Sequence, residues 1–223
     1  MSAELWPQDR RFGSAALLAG GRSQRMGGVD KQEILVRGEG LGPRAARLLS
    51  EAFGEVIVVT ARTELYPGRG IRCVGDLIAG RGPLGGIHAA LSASSSEWLY
   101  VMACDMPRFS AEYAAFLRAK LESILDGPGD PPLAAVTRFG AHIEPFHAYY
   151  SRALIPRLEG LLGTMRPGGA EPSVRDLLAG LACVWVPEAE ARRLSPDWSL
   201  FANINSPADL ESLESVLAGS GPD

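Results

Sequence analysis

The sequence predicts an α/β fold, a mostly parallel twisted sheet with helices on both faces. Three observations carry this. Apolar, β-branched runs recur along the chain with helical patterns between them. Those runs are near-continuous rather than alternating, as strands buried on both faces require. A chain of 223 residues with 46% hydrophobic content is also long enough for one sizeable domain.

The first run is SAALLAG (14–20), followed by EVIVVT (55–60), IRCV (71–74) and WLYVMA (98–103). Three more come later: LAAVT (133–137), EPFHAYY (144–150) and ACVWVP (182–187). Helical patterns fill the intervals at 43–53, 83–92, 111–125, 152–162 and 173–178. EAEARRL (188–194) reads as a solvated helical face. A last helix starts at SPADLE, where Ser206 suits the cap, Pro207 the first turn, and Asp209 the positive end of the dipole. Residues 1–13 read as an N-terminal tail and 14–218 as a single domain, with LDGPGDPP (125–132) a break inside it.

Composition narrows the functional classes. The net charge of −4 argues against a broad nucleic-acid surface and leaves room for a local basic pocket. No apolar run approaches the roughly 20 residues that span a bilayer, and the first thirteen residues lack the apolar core of a signal peptide. No membrane partner is expected. Cys73, Cys104 and Cys183 form no C-x-x-C pair, which fits reduced thiols in a cytoplasm and gives no metal motif.

Two stretches carry chemistry. LLAGGRSQRMGGVDK (17–31) places four glycines, two arginines and a lysine at the end of the first strand. In a parallel sheet, ligands bind outside the carboxyl ends of the strands. Glycines there let the backbone approach a ligand, and successive N–H groups can form an anion nest. Arg22, Arg25 and Lys31 add positive charge. The reading is a polyphosphate cradle, with a flexible glycine turn as the alternative. Walker A spacing is absent, because Lys31 lies between Asp30 and Gln32. The second stretch is YVMACDMP (100–107), where an apolar strand ends in Asp105. A carboxylate there is costly unless paired or bound to metal. Holding Mg²⁺ beside a phosphate loop is one use, and a helix cap or salt bridge is the other.

GRGPLG (80–85) matches G-x-G-x-x-G as a string, but it lies five residues past the third strand, outside the dinucleotide-binding context. It reads as a loop entering a helix at Pro83, or as one wall of a nucleotide pocket. The histidines show no metal spacing: His147 reads as a core residue, His88 as packing or surface, and His142 as part of a loop.

LAGGRSQRMGGVDK, GDLIAGRGPLGG, ACDMP and NINSPADL occur in the order and spacing of the molybdenum cofactor guanylyltransferases of the MobA type, which the chain resembles from about Ala15 to Leu213. The resemblance implies a Rossmann-like, GT-A-type nucleotidyltransferase sheet. It further implies transfer of GMP from GTP to the terminal phosphate of molybdopterin, with release of pyrophosphate and with Mg²⁺ as cofactor. LAGG rather than LAAG, and NIN rather than NID, point to guanylyl transfer. By this resemblance Leu18, Ala19, Gly20 and Gly21 contact the nucleotide, Lys31 and Arg25 its phosphates, Asp76 the base or ribose, and Asp105 the metal. Asn203, Asn205 and Arg175 are implied on the pterin side, with a surface salt bridge the other reading for Arg175. Transient contacts with proteins of cofactor synthesis or acceptor proteins are expected. The family often has asparagine where this chain has Thr60, and LVRGEGLG (35–42) is a loose version of its acceptor-side turn. Cytidylyl transfer, another nucleotidyl transfer, and a non-catalytic nucleotide-binding module in cofactor delivery remain alternatives.

Overall fold

The seven apolar runs form one sheet. In a computed structural model, which describes residues 9–20, 25–26, 29–75, 81–164 and 172–219, the strands are β1 (Ser14–Leu18), β2 (Glu55–Val59), β3 (Ile71–Val74), β4 (Trp98–Ala103), β5 (Ala134–Phe139), β6 (His142–Ser151) and β7 (Val184–Pro187). Their order across the sheet is β3-β2-β1-β4-β6-β5-β7. All neighbours are parallel except β6, which runs antiparallel to both β4 and β5. Its direction follows from its connection. Gly140, at φ 56°, and Ala141 alone separate β5 from β6, too few residues for a parallel crossover.

Side chains alternate between two cores. On one face Ala15 and Leu17 of β1, with Tyr100 and Met102 of β4, pack beneath α1 (Leu41–Ala52), α3 (Ala111–Leu125), α6 (Glu188–Leu194) and α7 (Pro207–Gly219). On the other face Ala16, Ile57, Leu99 and Val101 meet α2 (Gly82–Ala93), α4 (Ile155–Gly163) and α5 (Val174–Leu178). Burial on both sides explains the near-continuous apolar strands. α2 lies so close to β1 that a Cβ on Gly86 would come within 3.2 Å of the Leu18 side chain.

Three expectations are corrected. Residues 9–13 are packed rather than a free tail: Phe12 is fully buried, and Arg10 and Arg11 carbonyls accept from Glu97 and Trp98 N–H groups. His142 opens β6 rather than sitting in a loop. The helix expected over 152–162 begins as a 3₁₀ turn, Arg152–Leu154, and becomes α-helical at Ile155 ahead of Pro156. The 125–132 break connects α3 to β5, so both of its ends enter the same unit of sheet and helix. Among the described residues no helix is long and apolar enough to cross a membrane.

The order β3-β2-β1-β4 places a topological switch between β1 and β4. From β1 the chain moves outward through β2 and β3, then returns past β1 to β4. Loops leaving the carboxyl ends of β1 and β4 therefore diverge, and the crevice between them is where such sheets bind ligands.

The opposite edge is fastened by one carboxylate. Glu55 accepts from Ser14 Oγ at 2.6 Å, Ser95 N at 2.9 Å, Ser95 Oγ at 2.8 Å and an Arg72 guanidinium nitrogen at 2.9 Å. Burial opposes its charge, but these bonds outweigh burial and hold its carboxyl below the ordinary 4.5. Stability from a lowered carboxylate is present above its unfolded value and lost as the pH falls through its native one. Glu55→Gln is therefore expected to cost about 1 kcal/mol at pH 7, discounted for partial exposure. The difference from the native protein should close as the pH drops below 4.5. Urea unfolding at neutral and acid pH measures it, and a gap that persists in acid contradicts the assignment.

Candidate active site

The switch crevice starts where β1 runs out of sheet partners. The Leu18 carbonyl accepts from Cys104 N at 3.0 Å, and Ala19 N donates to the Val59 carbonyl at 3.0 Å. These two bonds extend the ladder past Leu18 and use the Ala19 N–H, while the Leu18 carbonyl keeps a second lone pair. Gly20, which is exposed, is the first position of the motif clear of them.

The chain returns to the crevice through a two-residue ribbon pairing Arg25 and Met26 with Val29 and Asp30, and then a 3₁₀ turn, Lys31–Glu33. Asp30 caps that turn by accepting from Gln32 N at 3.0 Å. The turn sends the Lys31 side chain inward until only 11% of it is exposed. Its ammonium meets Asp105 Oδ2 at 3.2 Å and Asn205 Oδ1 at 2.6 Å.

Each partner is placed by backbone. Asp105 follows β4, and its carbonyl accepts from Ile204 N at 2.7 Å, which stitches the 203–205 segment to the strand end. Ile204 is buried, so Asn203 and Asn205 on either side of it face outward. Asp209 accepts from Asn205 N at 2.9 Å and Ser206 N at 2.8 Å, while Ser206 Oγ accepts from Asp209 N at 3.3 Å. This is a reciprocal cap on α7, and it holds Asn205 at the mouth of the crevice. The other Asp105 oxygen, Oδ1, has no hydrogen-bond partner among the described residues.

Lys31, Asp105 and Asn205 are thus brought together from three distant parts of the chain. Asn203 lies beside them without a bond to the cluster. Arg175 on α5 donates to the Ala141 carbonyl in the β5–β6 turn, on the same sheet edge but outside the cluster. Gly21, Asp76 and the side chain of Arg25 lie outside the described residues. Thr60 is 3% exposed, and its hydroxyl donates to Gln32 Oε1 at 2.9 Å rather than facing a base. LVRGEGLG forms a ribbon of Leu35–Val36 with Glu39–Gly40, turning through left-handed Arg37 and Gly38.

Sequence reasoning missed Gln32, Tyr66 and Glu144. Glu144 lies on β6 where the register with β5 shifts between Glu144 and Tyr149, and Pro145, which has no N–H to pair, stands in that bulge. The bulge is tied internally by Phe146 N to Glu144 Oε1 at 3.1 Å and by the Tyr150 hydroxyl to the Pro145 carbonyl at 2.7 Å. In the same bulge His147 is fully buried at φ 49°, with Nδ1 2.9 Å from the Tyr100 hydroxyl. Burial lowers its pKa to about 3, so it stays neutral as a core residue. Burial also pushes the Cys104 thiol well up, which leaves no nucleophile there.

Burial foremost, and then the charge of Asp105, raise the Glu144 carboxyl to about 7 against the hydrogen bond from Phe146. Between 4.5 and about 7 the unfolded chain has lost this proton while the native protein keeps it. The contribution of Glu144 to stability therefore declines as the pH rises through that window. Glu144→Gln keeps an acceptor for Phe146 and never ionises. It is expected to match the native protein near pH 5 and to exceed it near pH 8 by on the order of 2 kcal/mol. Equal stability at both pH values contradicts this.

Comparison with known proteins shows the family. Residues 15–184 match the MobA-like NTP transferase domain. A protein named molybdenum cofactor guanylyltransferase from Syntrophotalea carbinolica is 41% identical over 211 residues, covering 95% of each chain. A probable molybdenum cofactor guanylyltransferase from Peptoclostridium acidaminophilum is 39% identical over 95% of this chain and 92% of its own. Among solved structures, molybdopterin-guanine dinucleotide biosynthesis protein A from Archaeoglobus fulgidus superposes with a TM-score of 0.74 at 26% identity, covering 92% of this chain and 99% of that one. The fold alone is shared with 4-diphosphocytidyl-2C-methyl-D-erythritol synthase from Anaerococcus prevotii, at a TM-score of 0.61 and 16% identity. The chain therefore belongs to the MobA-like NTP transferase family.

Proposed function

We propose that this protein is a molybdenum cofactor guanylyltransferase. It transfers GMP from GTP to the phosphate of molybdopterin, giving the guanine dinucleotide form of the cofactor and pyrophosphate. The observation that carries this reading is the Lys31 ammonium set between Asp105 and Asn205 at the β1–β4 switch. The names of the relatives supply the substrates.

The chemistry asks for positioning and charge rather than a protein nucleophile. An oxygen of the acceptor phosphate attacks the α-phosphorus of GTP. A new P–O bond forms, the bond to the bridging oxygen of the β-phosphate breaks, and pyrophosphate leaves with that electron pair. The acceptor phosphate is ionised near neutral pH, so no general base is required, and the buried, neutral His147 is not one. Lys31 provides a compact positive charge for the triphosphate. Asn205, whose amide also has two N–H donors, can release the ammonium and donate to an incoming phosphate.

Asp105 fits a divalent cation. Among the described residues its Oδ1 has no hydrogen-bond partner, and no group of three or more His, Cys, Asp or Glu could cage an ion alone. One carboxylate, with waters and substrate phosphates completing the shell, is the pattern Mg²⁺ takes. Bound there, Mg²⁺ would neutralise charge on the phosphate oxygens and orient them for in-line displacement. Nucleotide recognition on this reading draws on the backbone of Leu18, Ala19, Gly20 and Gly21, on Asp76 and on the wall made by the start of α2, with Arg25 on the phosphates. Asn203 and Arg175 fall to the pterin side. We also propose a cytoplasmic reaction, a reading supported by free Cys73, Cys104 and Cys183, with transient contacts to other cofactor-synthesis or acceptor proteins and no nucleic-acid partner.

Two measurements test this. Asp105→Asn is expected to keep its fold and lose transfer by a factor of 100 or more, on the order of 3 kcal/mol. Normal turnover by a folded Asp105→Asn protein removes the metal assignment. Pyrophosphate release with molybdopterin present should favour GTP over CTP by at least roughly tenfold in kcat/KM, because a site that pairs with guanine leaves polar groups unpaired against cytosine. A preference for CTP would replace guanylyl with cytidylyl transfer, and no turnover with either would favour a binding module.

A further inference from the structure

Lys31 extends from a loop with four glycines between positions 17 and 31, a poor foundation for a charge that must be placed to within a fraction of an ångström. The residue after it is anchored heavily. Gln32 is 2% exposed, and every polar atom of its amide is used. Nε2 donates to both Asp30 carboxylate oxygens at 3.2 and 3.3 Å. Oε1 accepts from Thr60 Oγ1 at 2.9 Å and from the Tyr66 hydroxyl at 2.7 Å, which fills both of its lone pairs.

The anchor is itself supported by the loop that leaves β2. Thr60 N donates to the Val74 carbonyl at 2.9 Å, and Thr60 Oγ1 accepts from Arg62 N at 2.9 Å. The Arg62 guanidinium reaches both Glu33 oxygens at 3.1 Å and lies 3.6 Å from Asp30 Oδ2. Gly42 at the start of α1 leaves the space that the network needs, since a Cβ there would collide with the Tyr66 hydroxyl and come within 3.3 Å of Gln32 Cβ. Asp30, Lys31, Gln32 and Glu33 are thus pinned to the neighbouring strand end on both sides of the lysine. Nothing in transfer chemistry uses Gln32, Thr60 or Tyr66 directly, and none of their hydrogen-bonding groups described here is turned to a ligand.

We infer that Gln32, held by the Thr60 and Tyr66 hydroxyls, is a positioning residue that fixes the backbone of Lys31 so that its ammonium lands on the triphosphate. The threonine at position 60 serves this clamp rather than the base. The inference rests on the proposed role of Lys31 and goes further by saying what makes that role possible.

The test is a double-mutant cycle on GTP-dependent pyrophosphate release. Lys31→Ala is expected to raise KM for GTP and lower kcat. Gln32→Leu should do the same, lowering kcat/KM at least tenfold, while thermal unfolding shows a folded protein. In the Lys31→Ala background Gln32→Leu should cost less than twofold, because the charge it positions is already gone. If Gln32→Leu does not fold, Thr60→Val and Tyr66→Phe, which each withdraw one donor from Oε1, enter the same cycle. Thr60→Ser restores the hydroxyl and should recover most of the Thr60→Val loss. Equal losses in the native and Lys31→Ala backgrounds make Gln32 merely structural and overturn this inference alone. An unchanged rate for Lys31→Ala overturns both this inference and the role given to Lys31.

Discussion

A lysine side chain drawn almost wholly into the protein sets the terms for the rest of this structure. An ammonium removed from water is costly unless oxygens replace its hydration. Here one carboxylate and one amide oxygen do so, at 3.2 and 2.6 Å. An ion pair of this kind adds little net stability, because desolvation offsets most of its Coulomb gain. Its geometry must therefore be sustained by elements that have other reasons to be rigid. β4 delivers Asp105, the cap of α7 delivers Asn205, and the 3₁₀ turn after the glycine loop delivers Lys31.

The division of labour across the sheet follows. At one edge Glu55 gathers Ser14, Ser95 and Arg72 into a fully satisfied set with no opening for a ligand. At the other edge the carboxylate of Asp105 is left half-used and the lysine has exchangeable partners. Both edges have a carboxylate, yet among the described residues the second has hydrogen-bonding capacity left over. Glu144, behind it on the β6 bulge, is held near 7 chiefly by burial, which limits the negative charge beside Asp105.

Much of this was legible in the sequence, for identifiable reasons. Long β-branched runs report burial on both faces, and six of the seven strands run parallel as that pattern suggests. β6 escapes because an apolar run carries no direction; only the short Gly140–Ala141 turn decides it. Asp105 stood out because a carboxylate at the end of an apolar strand is conspicuous, and Lys31 because it closes a glycine-rich loop. Gln32 was invisible for the opposite reason. A glutamine beside a lysine is unremarkable, and its partners Thr60 and Tyr66 lie 28 and 34 residues away with no periodicity to link them. Phe12 was missed because a polar terminal segment conceals one ring that fills the core.

The union of Lys31 with Asn205 spans 174 positions of the chain. On a ribosome adding about 5–20 residues per second, roughly ten seconds or more separate the emergence of the lysine from that of its amide partner. During that interval β1 to β4 can pair and the Lys31–Asp105 contact can form, but the 203–205 segment that sits on β4 does not yet exist. The crevice therefore stays open on one side until residues 203–205 have been made. A chain shortened ahead of Asn203 would retain every strand of the sheet while leaving the lysine half-partnered. The strands of the sheet and the full set of partners for Lys31 are thus completed at different times, the second only when the segment beyond β7 has been made.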